Sequence, residues 1–102
     1  MTSAVATEFA RKIRDREPAF GYWVVLDSPV STERIARLGY DYVALDAQHG
    51  LIGYNGMLTG LMAIDASAQA AGVVRVEANN ATAIGKALDA GAVAVIVPLV
   101  ND

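Results

Sequence analysis

Hydrophobic and polar residues follow two alternating patterns along the chain. Apolar residues at three- and four-residue spacing, or residues that typically cap helices, predict helices over 3–16, 31–39, 56–70 and 80–89. Short apolar runs rich in β-branched and aromatic residues predict strands over 20–26, 41–45, 73–77 and 93–97. The order α-β-α-β-α-β-α-β predicts an α/β fold whose parallel strands are joined by right-handed crossovers.

The residues at the ends of the predicted helices support these bounds. Pro18 follows the first helix and stops it, because proline cannot continue a helix. We expect Ser31 to cap the second helix and Gly39 to end it. Asn79-Asn80 caps the fourth helix, and Gly91 ends it. The third helix has a broad apolar face suited to packing on a sheet, formed by Met57, Leu58, Leu61, Met62 and Ile64.

The spacing of the strands indicates a β/α barrel. Successive strands begin roughly 20 to 30 residues apart, close to the repeat of an eight-stranded barrel of about 250 residues. Since four units cannot close such a barrel, we predict that residues 1–102 form a single, incomplete domain of parallel (β/α) units, the N-terminal half of a TIM (β/α)8 barrel. Closure then comes from the rest of a longer enzyme or from pairing with another copy.

Composition narrows the classes of partner. The chain is 54% hydrophobic with a net charge of −3, so it has no electrostatic footprint for nucleic acid or for an acidic membrane surface. It contains no cysteine, which excludes disulfides and thiolate metal sites. No apolar run approaches the length of a membrane span, and the N-terminus lacks the basic-then-apolar plan of a signal peptide. We therefore expect a soluble, cytoplasmic protein.

Candidate chemistry gathers where the second predicted strand ends. The apolar run 42–45 is followed at once by Asp46, Gln48 and His49, the only histidine of the chain. In α/β folds, the carboxyl ends of the strands are where ligands bind. Imidazole has an ordinary pKa near neutrality, which suits a general base. His49 is therefore a candidate acid/base, the alternative being a solvent-exposed loop histidine. Asp46 shares its loop and is placed to orient its ring.

Arg75 lies inside the third predicted strand, where an unpaired arginine is costly. Its planar fork suits a carboxylate or enolate oxygen on which negative charge grows during a reaction. A substrate role is favoured, and the alternative is a structural ion pair with Glu77 or Asp46. Nucleotide binding, a serine nucleophile and a Schiff-base lysine are disfavoured, because the chain lacks a Gly-rich phosphate loop and a nucleophile elbow and its Lys86 falls on a helix.

The chain resembles the N-terminal part of the HpcH/HpaI-type, metal-dependent class II pyruvate aldolases. Seven segments carry the resemblance in order: 21–23, 28–29, 39–43, 46–50, 73–76, 88–91 and 96–98, within a match that runs to about Val100. The resemblance implies a (β/α)8 barrel that cleaves or forms a C–C bond next to a pyruvate enolate. It implies His49 as acid/base, Arg75 as the group that stabilises the enolate oxyanion, and Asp89 as the partner that makes the histidine more basic. Gln48 departs from the glutamate that several members carry.

The resemblance also implies a cofactor and partners. A divalent cation (Mg2+, Mn2+ or Co2+) is expected in the full-length enzyme, with ligands on later strands, so no metal ligand is assigned in this chain. The expected partners are a small oxo acid, pyruvate, and an aldehyde, and we expect a homo-oligomer. Two other functions stay open, a non-catalytic half-barrel assembly module and a citrate lyase-like acyl-CoA lyase. The isolated chain is expected to have little or no activity.

Resemblance and geometry differ on Asp89. This residue ends the fourth predicted helix, just before a strand, which places it toward the N-terminal face of a barrel. A strand spans roughly 3.3 Å per residue, so Asp89 and His49 of one chain should lie well apart. Physics alone makes Asp89 a structural carboxylate near Lys86. The implied role then requires a neighbouring subunit or an inward bend of the helix.

Overall fold

The computed structural model describes residues 3–98. Met1, Thr2 and residues 99–102, which include the end of the resemblance at Val100, lie outside the described residues. Four helices alternate with four strands, in the order that the hydrophobic pattern predicts: α1 Ala4–Arg14, β1 Gly21–Val24, α2 Pro29–Ala36, β2 Tyr42–Asp46, α3 Tyr54–Ser67, β3 Ala71–Arg75, α4 Ala81–Asp89 and β4 Ala94–Ile96.

The four strands form one parallel sheet in the order β1-β2-β3-β4. Each strand pairs with the next one in the chain, and the order never reverses. A doubly wound sheet would reverse at a switch point, whereas a β/α barrel keeps sequential order. The fold is therefore α/β with the topology of a partial TIM barrel, as predicted. Within residues 3–98, β1 and β4 are the two edge strands.

Helices α2, α3 and α4 cover one face of the sheet, which we call the outer face. The core between them is buried and almost entirely aliphatic, with Val43, Leu45, Val74, Val76, Leu61 and Ile64 at its centre. Alternate residues of each strand supply it, since successive side chains of a strand point to opposite faces. Helix α3 packs closely on the sheet because Gly60 brings its backbone against the side chain of Leu45.

Helix α1 covers the other face, the inner face, at its amino-terminal half. Ser3 caps this helix by accepting a hydrogen bond from the backbone N–H of Ala6 at 3.0 Å. Phe9 is buried against the ring of Tyr42, with ring centroids 5.6 Å apart. Lys12 anchors the helix through a 2.8 Å ion pair with Asp41. The carboxyl half of the inner face carries Trp23, Asp46 and Arg75 instead.

The predicted elements differ from the observed ones mainly at their ends. The expectation that Ser31 caps the second helix is wrong, because α2 begins at Pro29 with Ser28 as its N-cap residue. Proline is pre-set for the first helical turn, so the helix starts two residues earlier. Met62 does not join the apolar face of α3, since 63% of its surface is exposed. In residues 3–98, every helix is too short or too polar to traverse a bilayer.

Candidate active site

Asp46 and Arg75 meet at the carboxyl edge of the sheet. They are the last residues of β2 and β3 and lie directly opposite each other in the strand register. Residues opposite each other in a parallel pair point to the same face, so both side chains project from the inner face. Trp23 of β1 lies opposite Ala44 and points to that face as well. Three neighbouring strands thus contribute to one polar cluster.

The carboxylate of Asp46 is the centre of this cluster and is only 2% exposed. Its Oδ1 accepts hydrogen bonds from Arg75 Nε at 3.2 Å and from the backbone N–H groups of Gln48 and His49 at 3.0 and 2.9 Å. Its Oδ2 accepts from Arg75 Nη2 at 2.5 Å and from the indole Nε1 of Trp23 at 3.0 Å. Five donors therefore converge on one buried anion.

These donors determine the charge of Asp46. Burial on its own raises the pKa of a carboxyl group, because it disfavours the charged form. Here the hydrogen bonds from Arg75, from Trp23 and from the two backbone N–H groups outweigh burial and hold the pKa of Asp46 well below its usual range. Asp46 is thus a permanent anion at neutral pH, suited to anchoring its neighbours rather than to transferring protons.

Arg75 is held on one side and open on the other. Its ion pair with Asp46 uses Nε and Nη2, two donors of a guanidinium that has five N–H groups. No other hydrogen bond from this guanidinium is formed within residues 3–98, and its side chain is 24% exposed. Of the two ion-pair partners considered from sequence, Asp46 is the observed one. The remaining N–H groups are available for an anionic ligand.

His49 lies in the loop between β2 and α3 and is exposed. Asp46 holds the main chain of this loop through the His49 N–H. The expectation that Asp46 orients the imidazole ring is not met, because no ring hydrogen bond to it is formed among the described residues. Gly50 follows with its Cα against the backbone carbonyl of Asp46, where a side chain would collide. The loop is therefore tied closely to the strand end that carries Asp46.

Asp89 lies at the other end of the sheet. It is the last residue of α4, is exposed, and precedes the start of β4. The structure does not bring it to His49 within one chain, as the strand geometry predicted. A metal site is also not formed in the described part of the chain, where no three histidine, cysteine or acidic side chains lie together.

Sequence reasoning missed Trp23. The signal was available, since it is the only tryptophan of the chain and a strand-borne indole N–H normally requires a polar partner. What the sequence did not contain was the register that sets Trp23 beside Asp46. Arg75 Cζ lies over the indole ring, 5.1 Å from the ring centroid, so the cation also contacts the aromatic face.

Fold and site together define a segment of a parallel β/α barrel that carries a polar cluster at the ligand-binding ends of its strands. The chain belongs to the HpcH/HpaI aldolase/citrate lyase family, which residues 19–102 match. The resemblance seen in the sequence is therefore confirmed.

Curated relatives and solved structures agree with this membership. The chain is 32% identical to 4-hydroxy-2-oxovalerate aldolase of Novosphingobium aromaticivorans over 91% of this chain and 36% of that protein. It is 39% identical to hydroxypyruvate/pyruvate aldolase of Rhizorhabdus wittichii over 82% of this chain and 33% of that protein. The chain thus spans about a third of the length of these relatives.

Two solved structures share the fold. A HpcH/HpaI aldolase/citrate lyase family protein from Burkholderia cenocepacia matches with a TM-score of 0.85 at 33% identity, over 91% of this chain and 37% of that one. The citrate synthase SbnG matches with a TM-score of 0.79 at 32% identity, over 90% of this chain and 37% of that one. Both similarities support a partial barrel of this enzyme family.

Proposed function

We propose that this chain supplies the oxyanion-stabilising and proton-transferring part of a carbon–carbon lyase that cleaves or forms 4-hydroxy-2-oxo acids, with pyruvate and an aldehyde as products. The observation that carries the proposal is the guanidinium of Arg75, fixed by Asp46 at the carboxyl edge of the sheet with N–H groups to spare. The loop that bears His49 is anchored to the same carboxylate. Names of related aldolases agree with this substrate class.

Arg75 is the group we assign to the growing negative charge. Cleavage next to the oxo group moves electrons onto the carbonyl oxygen of the pyruvate half. That half of the substrate is then released as an enolate. A guanidinium already held in place stabilises this charge without reorganising during the reaction. Pairing with Asp46 offsets part of its positive charge, yet it restricts the directions in which the remaining N–H groups point.

His49 is the group we assign to proton transfer. Retro-aldol cleavage requires a base that removes the proton of the 4-hydroxyl, and a neutral imidazole accepts a proton near pH 7. His49 lies two residues after Ala47, whose N–H bonds to the backbone carbonyl of Arg75 at 2.9 Å. This bond connects the histidine loop to the strand end of Arg75. Both groups therefore serve one substrate at the same rim.

Asp89 enters the proposal only through a neighbouring copy. It is exposed at the amino-terminal rim of its own chain, so a second subunit of a homo-oligomer would have to present it to His49. A divalent cation likewise belongs to the proposed whole enzyme. The described residues do not form a site for it, so we assign it no ligand and no reaction step in this chain. A cytoplasmic location stays a prediction.

A chimeric enzyme tests the proposed function. Residues 19–102 replace the matching segment of the R. wittichii hydroxypyruvate/pyruvate aldolase, and pyruvate release from a 4-hydroxy-2-oxo acid is measured. We expect activity in the chimera. His49→Ala should lower kcat/KM by about 100-fold or more. Arg75→Lys should lower kcat/KM by about tenfold or more, because lysine keeps the positive charge but lacks the planar guanidinium that forms two parallel hydrogen bonds. Arg34→Ala, at an exposed arginine of α2, is the control and should leave the rate unchanged.

Near-parental rates in both site variants would contradict the proposal. A competing reaction is supported by the similarity to the citrate synthase SbnG and by the citrate lyase part of the family name. An acyl-CoA lyase would use the same arginine for a carboxylate of its substrate. Tight binding of a CoA thioester by the chimera, with no cleavage of 4-hydroxy-2-oxo acids, would favour that alternative.

A further inference from the structure

We propose that Trp23 is a positioning residue, whose indole holds the guanidinium of Arg75 in the orientation that presents its remaining N–H groups to an oxo acid. The proposal rests on the proposed function, since that function assigns Arg75 to the substrate. It adds to the site a residue of β1, a strand that contributes no residue to the proposed reaction.

Trp23 contacts both members of the ion pair. Its Nε1–H donates to Asp46 Oδ2 at 3.0 Å, the same oxygen that accepts from Arg75 Nη2. Its ring lies beneath the guanidinium, with 5.1 Å between Arg75 Cζ and the ring centroid. Indole, carboxylate and guanidinium therefore form a closed triangle of contacts across three adjacent strands.

The triangle restricts a motion that the ion pair leaves open. A two-point pair with Asp46 fixes the guanidinium within the shared plane, but it allows the fork to tilt about the line of contact. An indole ring packed beneath the guanidinium opposes that tilt. The indole N–H in turn holds the carboxylate, so that it cannot follow the arginine. Trp23 thus limits the motion of both the carboxylate of Asp46 and the guanidinium of Arg75.

Core filling does not account for Trp23. Filling of apolar space would not require the indole N–H to meet a carboxylate, because any hydrogen-bond acceptor satisfies a buried indole N–H. Here the polar end of the ring is directed at a buried anion instead.

Nuclear magnetic resonance of the 102-residue chain separates this proposal from the proposed function. The resonance and hydrogen-exchange rate of Arg75 Nε–H report its pair with Asp46. Oxamate, which has the carboxylate and adjacent carbonyl of pyruvate, is the probe for ligand binding. The variants are Trp23→Phe, which keeps a ring but no N–H, Trp23→Leu, which removes both contacts, and Tyr22→Phe, the control on the opposite face of the same strand.

We expect Arg75 Nε–H to exchange about fivefold faster in Trp23→Phe and faster still in Trp23→Leu, with no change in Tyr22→Phe. The Kd for oxamate should rise in the same order, by about threefold and about tenfold. If Trp23→Leu does not fold, the exchange rate of Arg75 Nε–H in Trp23→Phe tests the proposal. Unchanged exchange in a folded Trp23→Phe overturns the positioning role, whether or not oxamate binds. Absence of oxamate binding in the parent chain instead counts against the proposed function and leaves the exchange test intact.

Discussion

At the scale of single residues, the site depends on one carboxylate. Asp46 receives charged, aromatic and backbone donors, so it connects the arginine of β3, the tryptophan of β1 and the histidine loop. Truncating one partner of a buried ion pair leaves the other charge unpaired and costs about 3–5 kcal/mol. Any change at Asp46 should therefore affect folding and site geometry together.

Acid should destabilise the chain through Asp46. Its pKa is lower in the folded than in the unfolded chain, so over the acid range the unfolded chain binds more protons. The stabilisation is fully present above the unfolded pKa of about 4 and is lost as pH falls through the folded pKa. Trp23, the only tryptophan, makes fluorescence a direct monitor of urea unfolding at pH 7 and at pH 3.

For Asp46→Asn, we expect lower stability at pH 7 and a smaller further loss between pH 7 and pH 3 than in the parent chain. Asp65→Asn, at an exposed carboxylate of α3, should retain the parent's pH dependence. Asp41, whose pKa is also lowered by Lys12 and by the Phe20 N–H, should supply the acid sensitivity that remains in Asp46→Asn. Equal pH dependence of the parent and Asp46→Asn would contradict the assignment.

At the scale of elements, the fit of α3 on the sheet requires a helix surface without a side chain. Gly60 and Gly85 are both inside helices, where alanine is intrinsically more stable by about 0.5–1 kcal/mol. A Cβ at Gly60 would lie 2.7 Å from Cδ1 of Leu45, a fully buried residue, whereas a Cβ at Gly85 would meet nothing within 4 Å. The same substitution should therefore have opposite effects at the two positions.

We expect Gly85→Ala to raise the free energy of unfolding by about 0.5–1 kcal/mol and Gly60→Ala to lower it by about 1–2 kcal/mol. Urea denaturation followed by circular dichroism measures both. Stabilisation by Gly60→Ala would show that α3 moves away from Leu45 at little cost, and that the packing is looser than the structure indicates.

The elements themselves were predictable, but the contacts between them were less so. Each strand and helix falls within a few residues of its expected place, because period and capping are local properties. The prediction that Ser31 caps the second helix was wrong, because the fixed φ of Pro29 starts α2 earlier. The ion pair between Arg75 and Asp46 was predicted only as an alternative to a substrate role. The contacts of Trp23 with both residues were not predicted. Both depend on strand register, which couples residues more than twenty positions apart.

At the scale of the whole molecule, the sheet has two open edges in its described part. Strand β1 forms one of them, and Tyr22 and Trp23 on it are 43% and 41% exposed. Phe20, just before this strand, is 71% exposed. An edge of this kind presents unpaired backbone groups together with apolar surface, which favours pairing with another strand. In a barrel, further strands cover both edges.

The isolated chain should therefore associate with itself. We expect sedimentation of the 102-residue chain to give a dimer or larger assembly at concentrations of tens of micromolar. Tyr22→Lys places a charge on the β1 edge and should shift the chain toward monomer, since lysine on an edge strand opposes pairing. Met62→Lys makes the same change on the exposed side of α3 and should not.

A well-folded monomer in the parent chain would contradict this expectation and would also count against the half-barrel assembly module as a function. An assembly that binds oxamate would support the lyase proposal, because the site would then be complete enough for its ligand. An assembly without oxamate binding would favour the module instead. Sedimentation and oxamate binding together thus decide whether the open edges serve a catalytic barrel or only its assembly.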